Sequence, residues 1–133
     1  IVASIMNAAF TRHDLPVPER RPFMLYVDEF HSFTTSALAG MMSETRKYGL
    51  GLTLAHQHIV QAERDVFEAV LGNAGSLMVF RTGAQDAPTF ERQLGTVAVP
   101  DLVNLPNHRA FVQLMVDGER KRVFSATTFP PRA

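Results

Sequence analysis

The stretch Phe23–His31, "FMLYVDEFH", decides how this chain is read. Five apolar residues, Phe23 to Val27, run directly into two adjacent acids, Asp28 and Glu29. The run is too short and too evenly apolar for a surface helix. Its length, with Tyr26 and Val27 inside it, favours a buried strand of a parallel sheet. Burying an unpaired carboxylate costs on the order of several kcal/mol, so two acids at a strand end imply a partner or a task. In open parallel sheets, ligands bind at the carboxyl ends of the strands.

Working outward, Ile1, Val2, Ile5, Met6, Ala9 and Phe10 recur at helical spacing, which predicts a helix over 1–12. The pattern opens in mid-helix, as expected of a segment from a longer chain. "DLPVPERRP" (14–22) carries three prolines and four charges and reads as a loop. After the acids, "SFTTSA" (32–37) supplies hydroxyl caps for a helix through Tyr48, which Gly49 can stop. "LGLTLA" (50–55) is a second strand, and 59–71 a helix with Val60, Val66, Phe67, Val70 and Leu71 inward, its end bracketed by Gly72 and Gly75. "SLMVFR" (76–81) is a third strand, 84–95 a short helix ending at Gly95, and "PDLVNLPN" (100–107) a loop. Asp117-Gly118 between two alternating runs marks a β-hairpin. Alternating helices and strands predict an α/β fold with a parallel sheet covered on both faces.

With 133 residues and 46% hydrophobic content, the chain can form one packed domain. Thirteen basic residues balance thirteen acidic ones, so bulk charge does not advertise nucleic-acid binding, although a local patch could provide it. There is no cysteine, which excludes disulfides and thiolate metal sites and fits a reducing compartment such as the cytoplasm. No apolar run approaches the roughly 18–20 residues of a membrane-spanning helix.

Phosphoryl chemistry is the task that best suits the two acids. In P-loop NTPases an Asp after a hydrophobic strand, the Walker B element, helps to hold Mg²⁺, and a neighbouring acid can orient and polarise the attacking water. The blander reading is a solvated loop whose acids cap the next helix. Gln57, closing the "GLTLAHQ" strand, can hydrogen-bond a γ-phosphate or the attacking water, or merely cap a helix. Arg46 and Lys47, in "SETRKYG", suit a helix C-terminus on dipole grounds alone. Arg46 equally suits an arginine finger aimed at a neighbouring subunit's phosphates.

These residues resemble a known family. "LYVDEFHSFTTSALAGMMSETRKYGLGLTLAHQ", "VLGNAGSLMVFRTGAQDAPTFERQLG" and "LVNLPNHRAFVQLMVDGERKRVFSATTFPPR" look like the C-terminal half of the motor domain of TraG/TraD-like conjugative coupling ATPases of type IV secretion, within the HerA/FtsK group. The similarity runs from about Phe23 to Arg132. It implies a RecA-like fold, a ring that is usually hexameric, and DNA movement driven by ATP. It implies Asp28 as a ligand of Mg²⁺, Glu29 as the residue that handles the catalytic water, and Gln57 as the sensor. Arg46 is the match to a trans-acting arginine, with Arg81 a second candidate for contact with the nucleotide. It also implies accessory relaxosome proteins as partners, and an inner-membrane anchor in a segment that is not part of this chain.

One departure counts against autonomous activity: the chain contains no G-x-x-x-x-G-K-[ST] motif. That loop supplies the amides and the Lys that cradle phosphates. In the family it lies upstream, so this segment alone is expected to bind ATP weakly or not at all.

Two other readings remain open. The acids can serve as recognition groups of a nucleotide-independent module that docks accessory proteins or DNA. Alternatively, His31, His56 and His58 with Asp28 and Glu29 can form a metal-dependent hydrolase site, although their spacing matches no established ligand pattern. "ERKR" (119–122) reads as solvated hairpin charge, and Phe10, Phe67, Phe80, Phe90 and Phe111 as packing.

Overall fold

The computed structural model describes residues 2–30, 42, 44–57 and 64–129. The chain divides into two compact units, Ile1–Asn73 and Ala74–Ala133.

In the first unit, helix α1 (Val2–Phe10) runs into a 3₁₀ turn at Thr11–Asp14. Strand β1 (Phe23–Val27) pairs in parallel with β2 (Leu50–Leu54), each β1 residue facing the residue 27 positions later. The apolar anchor is Ala9 of α1 against Leu50, with Ile5, Leu25, Tyr48 and Leu52 around them. The Phe10 ring meets Tyr48 edge-on at 5.5 Å. Arg20 fastens the proline-rich loop: its guanidinium donates to the carbonyls of Leu15, Lys47 and His13 and lies over the Tyr48 ring. A 3₁₀ turn at Thr45–Tyr48 enters β2 through Gly49, whose φ of +76° lies in the left-handed region that favours glycine. Helix α2 (Arg64–Asn73) buries Val66, Phe67, Val70 and Leu71, the inward set that its periodicity predicted. Gly72, expected to bracket its end, lies inside it. The predicted caps at 32–37, Val60 and the start of its helix lie outside the described residues.

β1 departs from the buried strand expected of it, since Phe23, Met24 and Tyr26 are exposed. Among the described residues, β1 pairs only with β2. Met24 lies opposite Gly51, where a Cβ would come within 2.5 Å of the Met24 sulfur. The glycine gives that side chain room to cross the neighbouring strand.

The second unit is built on antiparallel pairing. β3 (Leu77–Val79) pairs antiparallel with β4 (Arg109–Gln113), which pairs antiparallel with β7 (Phe124–Thr127). The third strand expected at 76–81 is present, and it takes an antiparallel partner from the C-terminal hairpin. Strand preference is local and does not specify the partner. β5 (Met115–Val116) and β6 (Glu119–Arg120) close the hairpin tip through Asp117 (φ +52°) and Gly118 (φ +78°), as a type I′ turn requires. From Val112↔Phe124 to Met115↔Arg120 the pairing slips by one residue, leaving one extra residue on the returning arm, a β-bulge.

Helix α3 (Ala87–Leu94) ends at Gly95 in the left-handed conformation, as its sequence predicts. The segment 100–107, expected to be loop throughout, begins within helix α4 (Val99–Val103). Pro100 sits in its first turn, where proline's missing N–H is harmless, and the Asp101 carboxylate accepts from the Ala98 N–H. Val79, Ala87, Leu94, Val97 and Leu102 form the core of this unit. Among the described residues, no helix is long and apolar enough to cross a membrane.

Candidate functional site

Parallel pairing brings the carboxyl ends of β1 and β2 to the same edge. The paired register ends at Val27↔Leu54, so Asp28 and Glu29 follow one strand end and Ala55 and His56 the other. Beyond the strands, Ala55 N–H donates to the Val27 carbonyl at 2.8 Å, and Phe30 N–H, one residue later than a continued ladder would place it, donates to the Ala55 carbonyl at 3.3 Å.

Between these bonds the chain turns sharply. Glu29 has φ +48°, a left-handed conformation that costs a non-glycine residue about 1–2 kcal/mol. Its N–H donates to Asp28 Oδ1 at 2.9 Å, an interaction that favours the turn. Phe30, only 2% exposed, fixes the far side, with its ring 4.8 Å from that of His56. Glu29 Oε2 then lies 3.4 Å from His56 Nδ1. The imidazole is 7% exposed and the Glu29 side chain 34% exposed.

Asp28 and Gln57 are exposed at the same edge. Asp28 offers hard oxygen, the donor that Mg²⁺ takes from one or two carboxylates alongside substrate phosphates. The fold thus brings together Asp28, Glu29 and Gln57. It does not bring Arg46 to them: the Thr45–Tyr48 turn stands at the opposite end of β2, a strand length of about 16 Å away. Arg81 belongs to the second unit, where it lines an open cleft of about 330 Å³ with Phe80, Pro106, Asn107, His108 and Arg109. Phe80, expected to pack, is exposed, one residue past the end of β3. Among the described residues, no group of three or more His, Asp or Glu is arranged to hold a metal ion. His31 and His58 lie outside the described residues. The hairpin charges at 119–122 are exposed, with Lys121 paired to Glu119 at 2.7 Å.

The sequence reading placed His56 and Glu29 together only as candidate metal ligands; the structure sets their side chains in direct contact.

A family model described as the TraM recognition site of TraD and TraG matches residues 22–102. This chain belongs to the TraD/TraG family. The fold of this TraD/TraG segment is similar to that of the bacterial conjugative coupling protein TrwBdeltaN70, with TM-score 0.75 and 18% identity over 98% of this chain and 36% of that one. It is also similar to the plasmid coupling protein TrwB in complex with ADP and Mg²⁺, with TM-score 0.71 and 20% identity over 94% of this chain and 35% of that one. VirB4 of Thermoanaerobacter pseudethanolicus matches with TM-score 0.62 and 17% identity over 97% of this chain and 37% of that one. The shared architecture is the RecA-like α/β fold that the resemblance implied, and the chain spans about a third of these proteins. No curated protein sequence matches it.

Proposed function

We propose that this chain is the Walker B and sensor portion of an ATP-driven motor that moves DNA as a type IV secretion coupling protein. The observation that carries this reading is the shared strand edge. Asp28 and Glu29 end one parallel strand, and Gln57 follows the next, in a member of the TraD/TraG family. A second set of side chains from elsewhere in the longer protein supplies the phosphate cradle.

Each residue then has a role. Asp28 holds Mg²⁺, which when bound neutralises phosphate charge. Glu29 accepts the proton of the attacking water and holds that water in line. Gln57 hydrogen-bonds the γ-phosphate and reports its loss to the end of β2. Arg46, displaced to the far end of β2, serves the site of a neighbouring subunit in a hexameric ring, where its guanidinium meets developing phosphoryl charge. Arg81 is the alternative for that contact. The ring lies in the cytoplasm, tethered to the inner membrane by another part of the protein.

The test is steady-state ATP hydrolysis by the longer protein, with and without double-stranded DNA. Glu29→Gln should lower DNA-stimulated turnover by about 10²–10⁴-fold while retaining nucleotide binding. Equal turnover in both proteins removes Glu29 from catalysis.

The family description favours a second role for the same region, docking of a relaxosome protein of the TraM type. Docking that survives Glu29→Gln and ignores nucleotide would make it independent of the motor. Docking that requires ATP would join the two roles.

A further inference from the structure

We infer that His56 is a positioning residue for Glu29, an inference that rests on the motor reading of the same site. Glu29 lies in a turn, at φ +48°, rather than in the strand. A carboxylate on a strained turn keeps one aim only if something outside the turn holds it. His56 meets that need from the neighbouring strand end, with Nδ1 3.4 Å from Glu29 Oε2.

The imidazole is itself restrained. Its ring is 7% exposed and packs on Phe30 at 4.8 Å with a 55° tilt. Phe30 follows Glu29 directly and donates its N–H to Ala55, the residue before His56. A closed circuit results: Glu29, Phe30, Ala55 and His56 are joined by two peptide bonds, one backbone hydrogen bond and one side-chain contact. The imidazole thus meets Oε2 of a carboxylate whose side chain is still 34% exposed.

The circuit also gives Gln57 a route to the acid. His56 and Gln57 are consecutive, so movement of the β2 end that follows loss of contact at Gln57 shifts the imidazole and with it Glu29. His56 touches no phosphate in this account. It acts through the aim of Glu29, where a misplacement of about 1 Å can cost on the order of 100-fold in rate.

Two substitutions separate the donor from the ring. His56→Phe keeps an aromatic ring against Phe30 and removes Nδ1. His56→Asn loses the ring and keeps an amide donor near the position of Nδ1. Both are compared with wild type and Glu29→Gln in the DNA-stimulated ATPase of the longer protein. The expected result is a kcat for His56→Phe lowered by about tenfold or more, with the KM for ATP within about twofold, and a kcat for His56→Asn within about threefold of wild type. If Glu29→Gln is dead and His56→Phe retains wild-type kcat, the positioning role is overturned and the motor reading stands. The positioning role is equally overturned if His56→Phe is active and His56→Asn is not, because ring packing would then be what matters. If Glu29→Gln retains full turnover, both the motor reading and this inference fall. Should His56→Phe not fold, His56→Leu takes its place under the same criteria.

Discussion

Replacing Phe30 with alanine should loosen the strand edge that carries the acids. The ring is 2% exposed, so the substitution removes nearly all of its buried apolar surface. Phe→Ala changes at such sites cost about 3–5 kcal/mol, transfer and residual cavity together. The contact with His56 at 4.8 Å is part of that sum, because aromatic pairs contribute about 0.5–1.5 kcal/mol beyond their area. The backbone bond from Phe30 to Ala55 survives in principle, so the loss is one of packing. The assay is urea unfolding of the chain followed by far-UV circular dichroism. With an m-value of about 2 kcal/mol/M, the transition of the Ile1–Asn73 unit should fall by about 1.5–2.5 M. Phe129→Ala is the control, because that ring is 94% exposed and its loss should stay within about 0.5 kcal/mol. A Phe30→Ala midpoint within about 0.5 M of wild type would refute the reasoning and leave the Glu29 turn without its anchor.

Two further outcomes follow from the same geometry. Gly49→Ala should destabilise the chain by about 1–2 kcal/mol in the same urea assay. Its new Cβ would meet only ordinary contacts at 3.6 Å, so the cost is that of alanine at φ +76°. Asp28→Asn should raise the Mg²⁺ concentration needed for half-maximal turnover by about 10–100-fold, with activity recovering as Mg²⁺ is raised. An unchanged Mg²⁺ dependence would take Asp28 out of the metal's coordination.

What was legible in the sequence was what is decided locally. The apolar run at Phe23–Val27, the strand at Leu50–Leu54, the stop at Gly49, the cap at Gly95 and the Asp117-Gly118 turn all sit where short-range stereochemistry puts them. The acids were found because carboxylates directly after an apolar strand are chemically conspicuous. Pairing was not legible. Leu77–Val79 has the composition of any buried strand, and its antiparallel partner lies more than thirty residues later. Helix α4 was missed because Pro100 reads as a breaker, although at a helix start it is tolerated. The contact of His56 with Glu29 could not be read from sequence neighbours, because it depends on the pairing of β1 with β2 and on the turn at Glu29.

The bulge in the C-terminal hairpin has a consequence for how this protein could be altered. Because the pairing slips between Val112↔Phe124 and Met115↔Arg120, the alternation of faces in the tip is out of step with that in the stem. The stem must keep its phase, since Ala110 and Val112 are buried. The extra residue absorbs a change of phase, as a slip joint takes up movement between two pipes. Residues 116–119, inside the bonds that tie Met115 to Ser76 and Arg120 to Ala74, can therefore be lengthened or shortened while the stem keeps its register, which makes the tip a natural place to attach a probe.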